Sequence, residues 1–292
     1  MTGVDALPGV SGQGTKVVGG LLGVAGGELF GGGVGGIGGG GSGRGGDTAH
    51  DDVFVPAPWQ RCSGRDGDIG GPVTTALLDL CHGYVARRGH GLPVEVAERC
   101  SGVAGPGWLL AVAMVRLDER RLVADTLELA MVAGASARSL GDYVAYVELA
   151  ADLMAGRPPM KYVEVAHGAW LSGLGPQPRL CGEAAIDALS AGVWALAQPC
   201  GMGEVMATLA EVATPSVAAA ALGLLGLRGG SGSVPVGWQR RLPCTAACLA
   251  LAPGLVRARC RDHARHGGRN SGGRDLLPRC FHAAGQCVKA GA

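Results

Sequence analysis

The sequence predicts a mostly α-helical protein: an irregular helical bundle between a disordered Gly-rich N-terminal segment and a disordered basic C-terminal segment. From residue 73 to residue 227, apolar residues recur at helical spacing, and Gly or Pro stands where each helix should end. The β alternative lacks support, because Ile, Phe and Thr are scarce and no strand alternation is sustained. We therefore divide the chain into residues 1–72, 73–227 and 228–292.

Glycine dominates the first of these segments. The chain has 54 Gly and 16 Pro among 292 residues, and 17 of the 28 positions from 19 to 46 are Gly. Glycine has the largest backbone entropy in the unfolded state and offers no side chain to bury, so residues 1–72 are predicted to be a disordered arm. The Gly-x-Gly-x-x-Gly matches within it lack the strand and helix that a dinucleotide site requires.

The clearest helix of the bundle begins at Thr74 or Thr75, which cap its first turn, and ends at Gly89. Breaks at Pro or Gly separate the other predicted helices by loops of the short length usual between packed helices. These further helices are predicted at Pro93–Cys100, Trp108–Ala133, Ser139–Ala155, Met160–Leu171, Gly182–Gln198, Met202–Ala213 and Ser216–Leu227.

Charge is distributed unevenly along the chain, although the formal net charge is only +1. Residues 228–292 hold 11 basic and two acidic side chains, whereas the rest of the chain is acidic. A basic stretch of this kind predicts contact with nucleic acid through the phosphate backbone, without sequence preference. No aromatic residue interleaves with the arginines, so the stacking part of a single-strand site is missing. Simple solvation, or pairing with the acidic body, is the alternative. The arginines concerned are Arg257, Arg259, Arg261, Arg265 and Arg269.

The ten cysteines raise the question of disulfides and therefore of compartment. The first residues, Met1 to Ala6, do not form a basic region that leads into an apolar one, so no signal peptide is evident. The sequence also contains no Asn-x-Ser/Thr acceptor for glycosylation. These observations favour an intracellular, reducing compartment with free thiols.

A membrane interpretation competes for Val212 to Leu227, which is free of charged residues and is followed by Arg228. The stretch is shorter than the roughly 20 residues that span a bilayer, and Pro215 interrupts it. The alternative is a buried, Ala-rich core helix.

The C-terminal segment offers a candidate zinc site at Cys244, Cys248, Cys260 and His263. Zinc prefers four thiolate or imidazole ligands, usually supplied as two closely spaced pairs, and the pairs here are Cys-x-x-x-Cys and Cys-x-x-His. The spacing does not match the Cys₂His₂ finger. Scattered thiols in a disordered tail are the alternative.

Two carboxylate-x-x-His pairs suggest a second kind of metal site, inside the bundle. Asp79 with His82 and Glu164 with His167 each place both side chains on one helical face. Carboxylates of other helices could complete a dinuclear centre, as in some four-helix bundles. The candidates for these additional carboxylates are Glu128, Glu148 and Asp152. Solvated helical faces are the alternative.

No catalytic signature and no family is evident in the sequence. It lacks Gly-x-Ser-x-Gly, His-Glu-x-x-His and a phosphate-binding Gly-Lys-Ser/Thr loop. We therefore expect a non-enzymatic interaction or regulatory protein that binds a protein partner. The alternatives are a membrane-associated protein, a metal-binding helical protein, and the product of an unselected GC-rich reading frame, since Gly, Ala, Arg and Pro dominate the composition.

Overall fold

The computed structural model describes residues 12–30, 70–158 and 177–266, and every regular element among them is helical, which confirms the predicted fold class. Two short 3₁₀ turns, Gly107–Leu109 and Ser231–Ser233, join longer helices. The described residues form the α-helices α1 (Gly12–Phe30), α2 (Pro72–Ala86), α3 (Val94–Arg99), α4 (Leu110–Val115), α5 (Glu119–Val132), α6 (Leu140–Met154), α7 (Ala184–Ala197), α8 (Met202–Val212), α9 (Pro215–Gly229), α10 (Val236–Arg241) and α11 (Thr245–His266).

At the centre of the fold, the backbones of α1 and α9 come into direct contact. A Cβ atom on Gly226 would lie 1.9 Å from the carbonyl oxygen of Gly19. A Cβ atom on Gly23 would lie 2.2 Å from the carbonyl oxygen of Leu222. Only glycine leaves room for a neighbouring backbone at these distances. We call this contact of Gly19 and Gly23 with Gly226 and Leu222 the glycine seam.

Tertiary contact explains why a Gly-rich sequence is helical in α1. Each Gly in a helix costs about 0.5–1 kcal/mol relative to Ala. The close approach to α9 and the complete burial of Val17, Leu21 and Val24 offset this cost. Residues 12–30, which the sequence predicts to be part of the disordered arm, are therefore a buried helix of the core.

The helical core also extends past residue 227, because α11 packs against α1, α2 and α4. Cys248, Leu255 and Ala258 are buried on the inner face of this helix. Arg259 and Asp262 are buried on the same face. Because these two charged residues interrupt the apolar stripe, the amphipathic pattern of α11 is hard to recognise in the sequence. The core therefore includes much of the segment that the sequence predicts to be a disordered basic tail.

The single helix predicted at Trp108–Ala133 is instead two helices, α4 and α5, joined at an extended residue, Arg116 (φ −84°, ψ 136°). Asp118 caps α5, because its carboxylate accepts a hydrogen bond of 3.0 Å from the backbone N–H of Arg121. The prediction missed this break because a charged side chain at position 116 suggests solvent, whereas Arg116 is fully buried.

The stretch from Val212 to Leu227, considered above as a membrane segment, forms the end of α8 and most of α9. Residues 217 to 227 are all buried within the protein, against α1 on one side and α7 on the other. Among the described helices, none combines the length and the apolar character that a membrane span requires.

Candidate active site

A cleft of about 430 Å³ lies beside the first turn of α2, between that helix and the end of α3. Asp79, Arg99 and Thr75 contribute a carboxylate, a guanidinium and a hydroxyl to its wall. The side chains of Asp79 and Arg99 are 47% and 61% exposed, so a solute can reach both. A concave surface with a few convergent polar groups is the usual form of a small-molecule site.

Glu28, near the end of α1, fixes the beginning of α2 and hence one edge of the cleft. Its two carboxylate oxygens accept hydrogen bonds from the backbone N–H groups of Val73 (2.7 Å) and Thr74 (2.8 Å). The first turn of a helix leaves such N–H groups without intrahelical partners and attracts negative charge. A Cβ atom on Gly71 would lie 2.4 Å from Cδ of Glu28, so glycine at this position makes room for the carboxylate.

Asp79 and Arg99 face each other across the cleft, where Oδ2 and Nη2 are 3.8 Å apart. A pair this long and this exposed contributes little to stability, so both groups can bind a ligand at small cost. Burial, with a smaller contribution from Asp79, raises the pKa of the neighbouring Cys100 thiol to about 11. Cys100 is therefore protonated at neutral pH and is unsuited to act as a nucleophile.

Arg116, which does not line the cleft, is the centre of a buried ionic network. It binds Asp125 (Nε to Oδ2, 2.5 Å) and Asp262 (Nη1 to Oδ1, 3.0 Å). Its Nη1 and Nη2 atoms also donate hydrogen bonds to the carbonyl oxygens of Gly89 (2.9 Å) and Gly91 (3.1 Å). These contacts join α5, α11 and the turn that follows α2.

Two further arginines belong to this network. Arg121 donates from Nη1 to Oδ1 of Asp262 at 3.0 Å, and Arg259 donates from Nη1 to the carbonyl oxygen of Ala113 at 2.7 Å. Arg116, Asp125 and Asp262 are buried ionic partners, so the network stabilises the packing of α11 against the rest of the bundle. We call it the arginine layer: Arg116, Arg121 and Arg259 with Asp125 and Asp262.

The structure does not bring together the four residues of the candidate zinc site. Cys244 and Cys248 are buried, and their thiols are hydrogen-bonded to each other, which lowers the pKa of Cys244 and raises that of Cys248. Cys260 and His263 lie at least 12 residues further along the same helix, about 18 Å away at 1.5 Å per residue. One tetrahedral site cannot include both pairs.

The described residues also do not assemble the candidate metal site within the bundle. No group of three or more His, Cys, Asp or Glu side chains suited to a metal ion occurs there. Asp152 is instead paired with Arg157, whose Nε lies 2.7 Å from Oδ1, and His82 is exposed on α2. Glu164, His167 and the predicted helix Met160–Leu171 lie outside the described residues.

No family model and no curated protein matches the chain. A solved structure described as an ADP-ribosylglycohydrolase-related protein complex matches it with a TM-score of 0.59 and 19% sequence identity. The match covers 85% of this chain and 99% of the other. At this identity, the likeness shows a shared fold and assigns no role to any residue.

This likeness overturns the prediction of a non-enzymatic interaction protein, because the fold is shared with a protein described as related to a glycohydrolase. The prediction was wrong because it relied on the absence of a few local motifs, whereas catalytic groups usually come together from separate elements.

Sequence reasoning found only part of the cleft. It singled out Asp79, but as a metal ligand together with His82. It missed Glu28, because the surrounding glycines predicted disorder, and it missed Arg99, which lies on α3. The available signal was Glu28 together with a helix start later in the chain, at Pro72 and two threonines. The beginning of a helix attracts negative charge, so an acidic residue can bind there.

Proposed function

We propose that this chain is a hydrolase that acts on ADP-ribosyl groups, with the cleft beside α2 as its active site. The observation that carries the proposal is the combination of Asp79, Arg99 and Thr75 in one accessible cleft. The fold shared with an ADP-ribosylglycohydrolase-related protein supports this class of substrate.

Three parts of an ADP-ribosyl group have a chemical counterpart in the cleft. The guanidinium of Arg99 suits the diphosphate, because it is always charged and donates hydrogen bonds in a planar fork. The hydroxyl of Thr75 can hydrogen-bond a ribose hydroxyl. The Asp79 carboxylate would then lie near the ribose carbon that carries the glycosidic bond.

The reaction assigned to Asp79 is activation of water. Its carboxylate accepts a proton as the water oxygen forms a bond to the anomeric carbon, and the bond from that carbon to the leaving group breaks. The proton then passes to the leaving oxygen or nitrogen, which gives free ADP-ribose and the unmodified acceptor. Glu28 acts as a positioning residue, because it holds the first turn of α2 through Val73 and Thr74.

The test uses the purified full chain with peptides that carry ADP-ribose on arginine or on serine, and measures released ADP-ribose by chromatography. Asp79→Asn should lower kcat by about 100-fold, the usual contribution of a general base, while circular dichroism stays unchanged. Arg99→Gln should mainly raise KM, since it binds the diphosphate.

Glu128→Gln is the matched control, because Glu128 is an exposed carboxylate on α5 that does not line the cleft. It should leave the rate unchanged. Absence of both hydrolysis and ADP-ribose binding by the wild-type chain would refute the proposed substrate. Equal losses in Asp79→Asn and Glu128→Gln would refute the proposed site.

A further inference from the structure

A group of exposed basic side chains lies over the outer side of the arginine layer and includes none of the residues that line the cleft. Two belong to the turn after α2, and three belong to one face of α11, spaced four residues apart. All five are exposed. We call this surface the basic patch: Arg88, His90, Arg257, Arg261 and Arg265.

Contacts between the turn and α11 hold the two parts of the basic patch together. A Cβ atom on Gly89 would lie 3.1 Å from the carbonyl oxygen of Ala258, so the turn rests directly on the helix. The guanidinium of Arg265 lies against both ring nitrogens of His90. Below them, buried Arg116 binds the carbonyl oxygens of Gly89 and Gly91, as described above, which fixes the turn from inside.

The backbone of the turn is also constrained. Arg88 has φ +51°, a left-handed conformation that is uncommon outside glycine. The turn maintains this conformation beside Gly89 and Gly91, which also have positive φ. The backbone of the turn is therefore preorganised, so a ligand would have to order only the side chains of the patch.

The positive charge of the patch is not neutralised by its own elements. Asp262 is the only acidic residue of α11, and it is buried beneath the patch in contact with Arg116 and Arg121. Glu95 is occupied by Arg87, with Nη1 and Oε1 2.6 Å apart. Partial desolvation, followed by the charges of Arg265, Arg261, Arg88 and Arg116, lowers the pKa of His90.

We propose that the basic patch binds the phosphate backbone of double-stranded nucleic acid. Arg257, Arg261 and Arg265 form a row with about 6 Å between successive residues, which suits a partner whose charges are evenly spaced. All its permanent charges are guanidiniums, whose fork geometry matches phosphate oxygens. No Phe, Tyr or Trp belongs to the patch, so it lacks the stacking platform of single-strand sites.

This inference is independent of the proposed hydrolase activity, because the patch and the cleft share no residue. It also changes the prediction of nucleic-acid contact made from the sequence. Arg259, one of the arginines considered there, points into the core, and Arg88 and His90 from a distant part of the sequence take part instead. Arg269 lies outside the described residues.

Fluorescence anisotropy with a labelled 20-base-pair duplex tests the proposal on the full chain. The triple variant Arg88→Gln, Arg261→Gln, Arg265→Gln should weaken binding at least about tenfold. It should also reduce the slope of log K against log salt, by about 0.9 for each phosphate that is no longer neutralised. Affinity should not depend on base sequence, and a single strand of the same length should bind more weakly.

The matched control removes three exposed arginines elsewhere, Arg138→Gln, Arg240→Gln and Arg241→Gln, and therefore changes the net charge equally. It should alter affinity less than about twofold. Equal losses of affinity in both triple variants would overturn the proposal, because the effect would then be one of net charge. Binding to phosphatidylserine vesicles without binding to the duplex would also overturn it, since the surface would then be a membrane site.

Discussion

The glycine seam and the arginine layer attach the two ends of the described chain to the same bundle by opposite means. At the seam, α1 packs against α9 because side chains are missing, and backbone meets backbone. In the layer, α11 is attached by long side chains that cross the core and bind buried carboxylates. The glycine seam depends on close backbone packing, whereas the arginine layer depends on ion pairs between buried side chains.

This difference determines which substitutions each region tolerates. A seam of backbone atoms cannot adjust to an added methyl group, because no flexible side chain is available to move. A buried ionic network tolerates changes of shape better than the removal of one partner, which leaves an uncompensated charge in the core. Mutations can therefore separate the two kinds of contact.

The largest effect is expected in the arginine layer. Arg116→Met should lower the free energy of unfolding by about 3–5 kcal/mol, because it leaves Asp125 and Asp262 buried without most of their compensating charge. Chemical denaturation followed by circular dichroism measures the change. Arg138→Met is the control, since the side chain of Arg138 is 84% exposed and its distance to Glu183 is 3.9 Å. A similar loss of stability in both variants would show that Arg116 has no special structural role.

The glycine seam should show the next largest effect. Gly226→Ala should destabilise the protein by about 1–3 kcal/mol, because the new methyl group meets the backbone of Gly19 and forces the helices apart. Gly203→Ala, at an exposed helical position with nothing within 4 Å, should instead stabilise it by about 0.5–1 kcal/mol. Thermal unfolding of both variants checks this opposite sign, and stabilisation by Gly226→Ala would contradict the close packing of the seam.

The same two regions show how far the sequence predicts the structure. The predicted start of α2 at Thr74 or Thr75 is close to the observed start at Pro72, because its signals are local. The helix α1 could not be predicted in this way. Its glycines favour disorder in isolation, and they become helical only through contact with α9, some 200 residues later in the chain.

Long-range pairing also hid α11 and the candidate site. In the sequence, the charges of Arg259 and Asp262 indicate a solvated tail. In the structure, both side chains bind partners at or near Arg116, about 145 residues earlier in the chain. The cleft likewise depends on Glu28 and Arg99, which meet α2 from separate elements. Periodicity and capping residues describe single helices, whereas these sites arise from contacts between helices.

Two buried tyrosines allow a hydroxyl with a hydrogen-bond partner to be compared with one that has none among the described residues. The hydroxyl of Tyr146 donates a hydrogen bond of 2.9 Å to the carbonyl oxygen of Ala220 on α9, so Tyr146→Phe should cost about 0.5–1.5 kcal/mol. The buried hydroxyl of Tyr84, whose ring lies 5.3 Å below the Arg116 guanidinium, has no hydrogen-bond partner in the described part of the chain. Tyr84→Phe should therefore be neutral or stabilising in the same denaturation measurement. A larger destabilisation by Tyr84→Phe than by Tyr146→Phe would contradict these assignments.

The smallest effect is expected at the surface of the arginine layer, in the pH dependence of duplex binding. Desolvation and the neighbouring arginines lower the pKa of His90, so its surroundings disfavour the protonated imidazole in the free protein. Bound phosphates would offset those charges and raise the pKa, so protonation and binding should favour each other. Affinity should rise about twofold to threefold between pH 7.5 and pH 6, at constant salt. His90→Gln should remove that rise while leaving affinity at pH 7.5 nearly unchanged; a pH dependence that persists in His90→Gln would mean that another group is responsible.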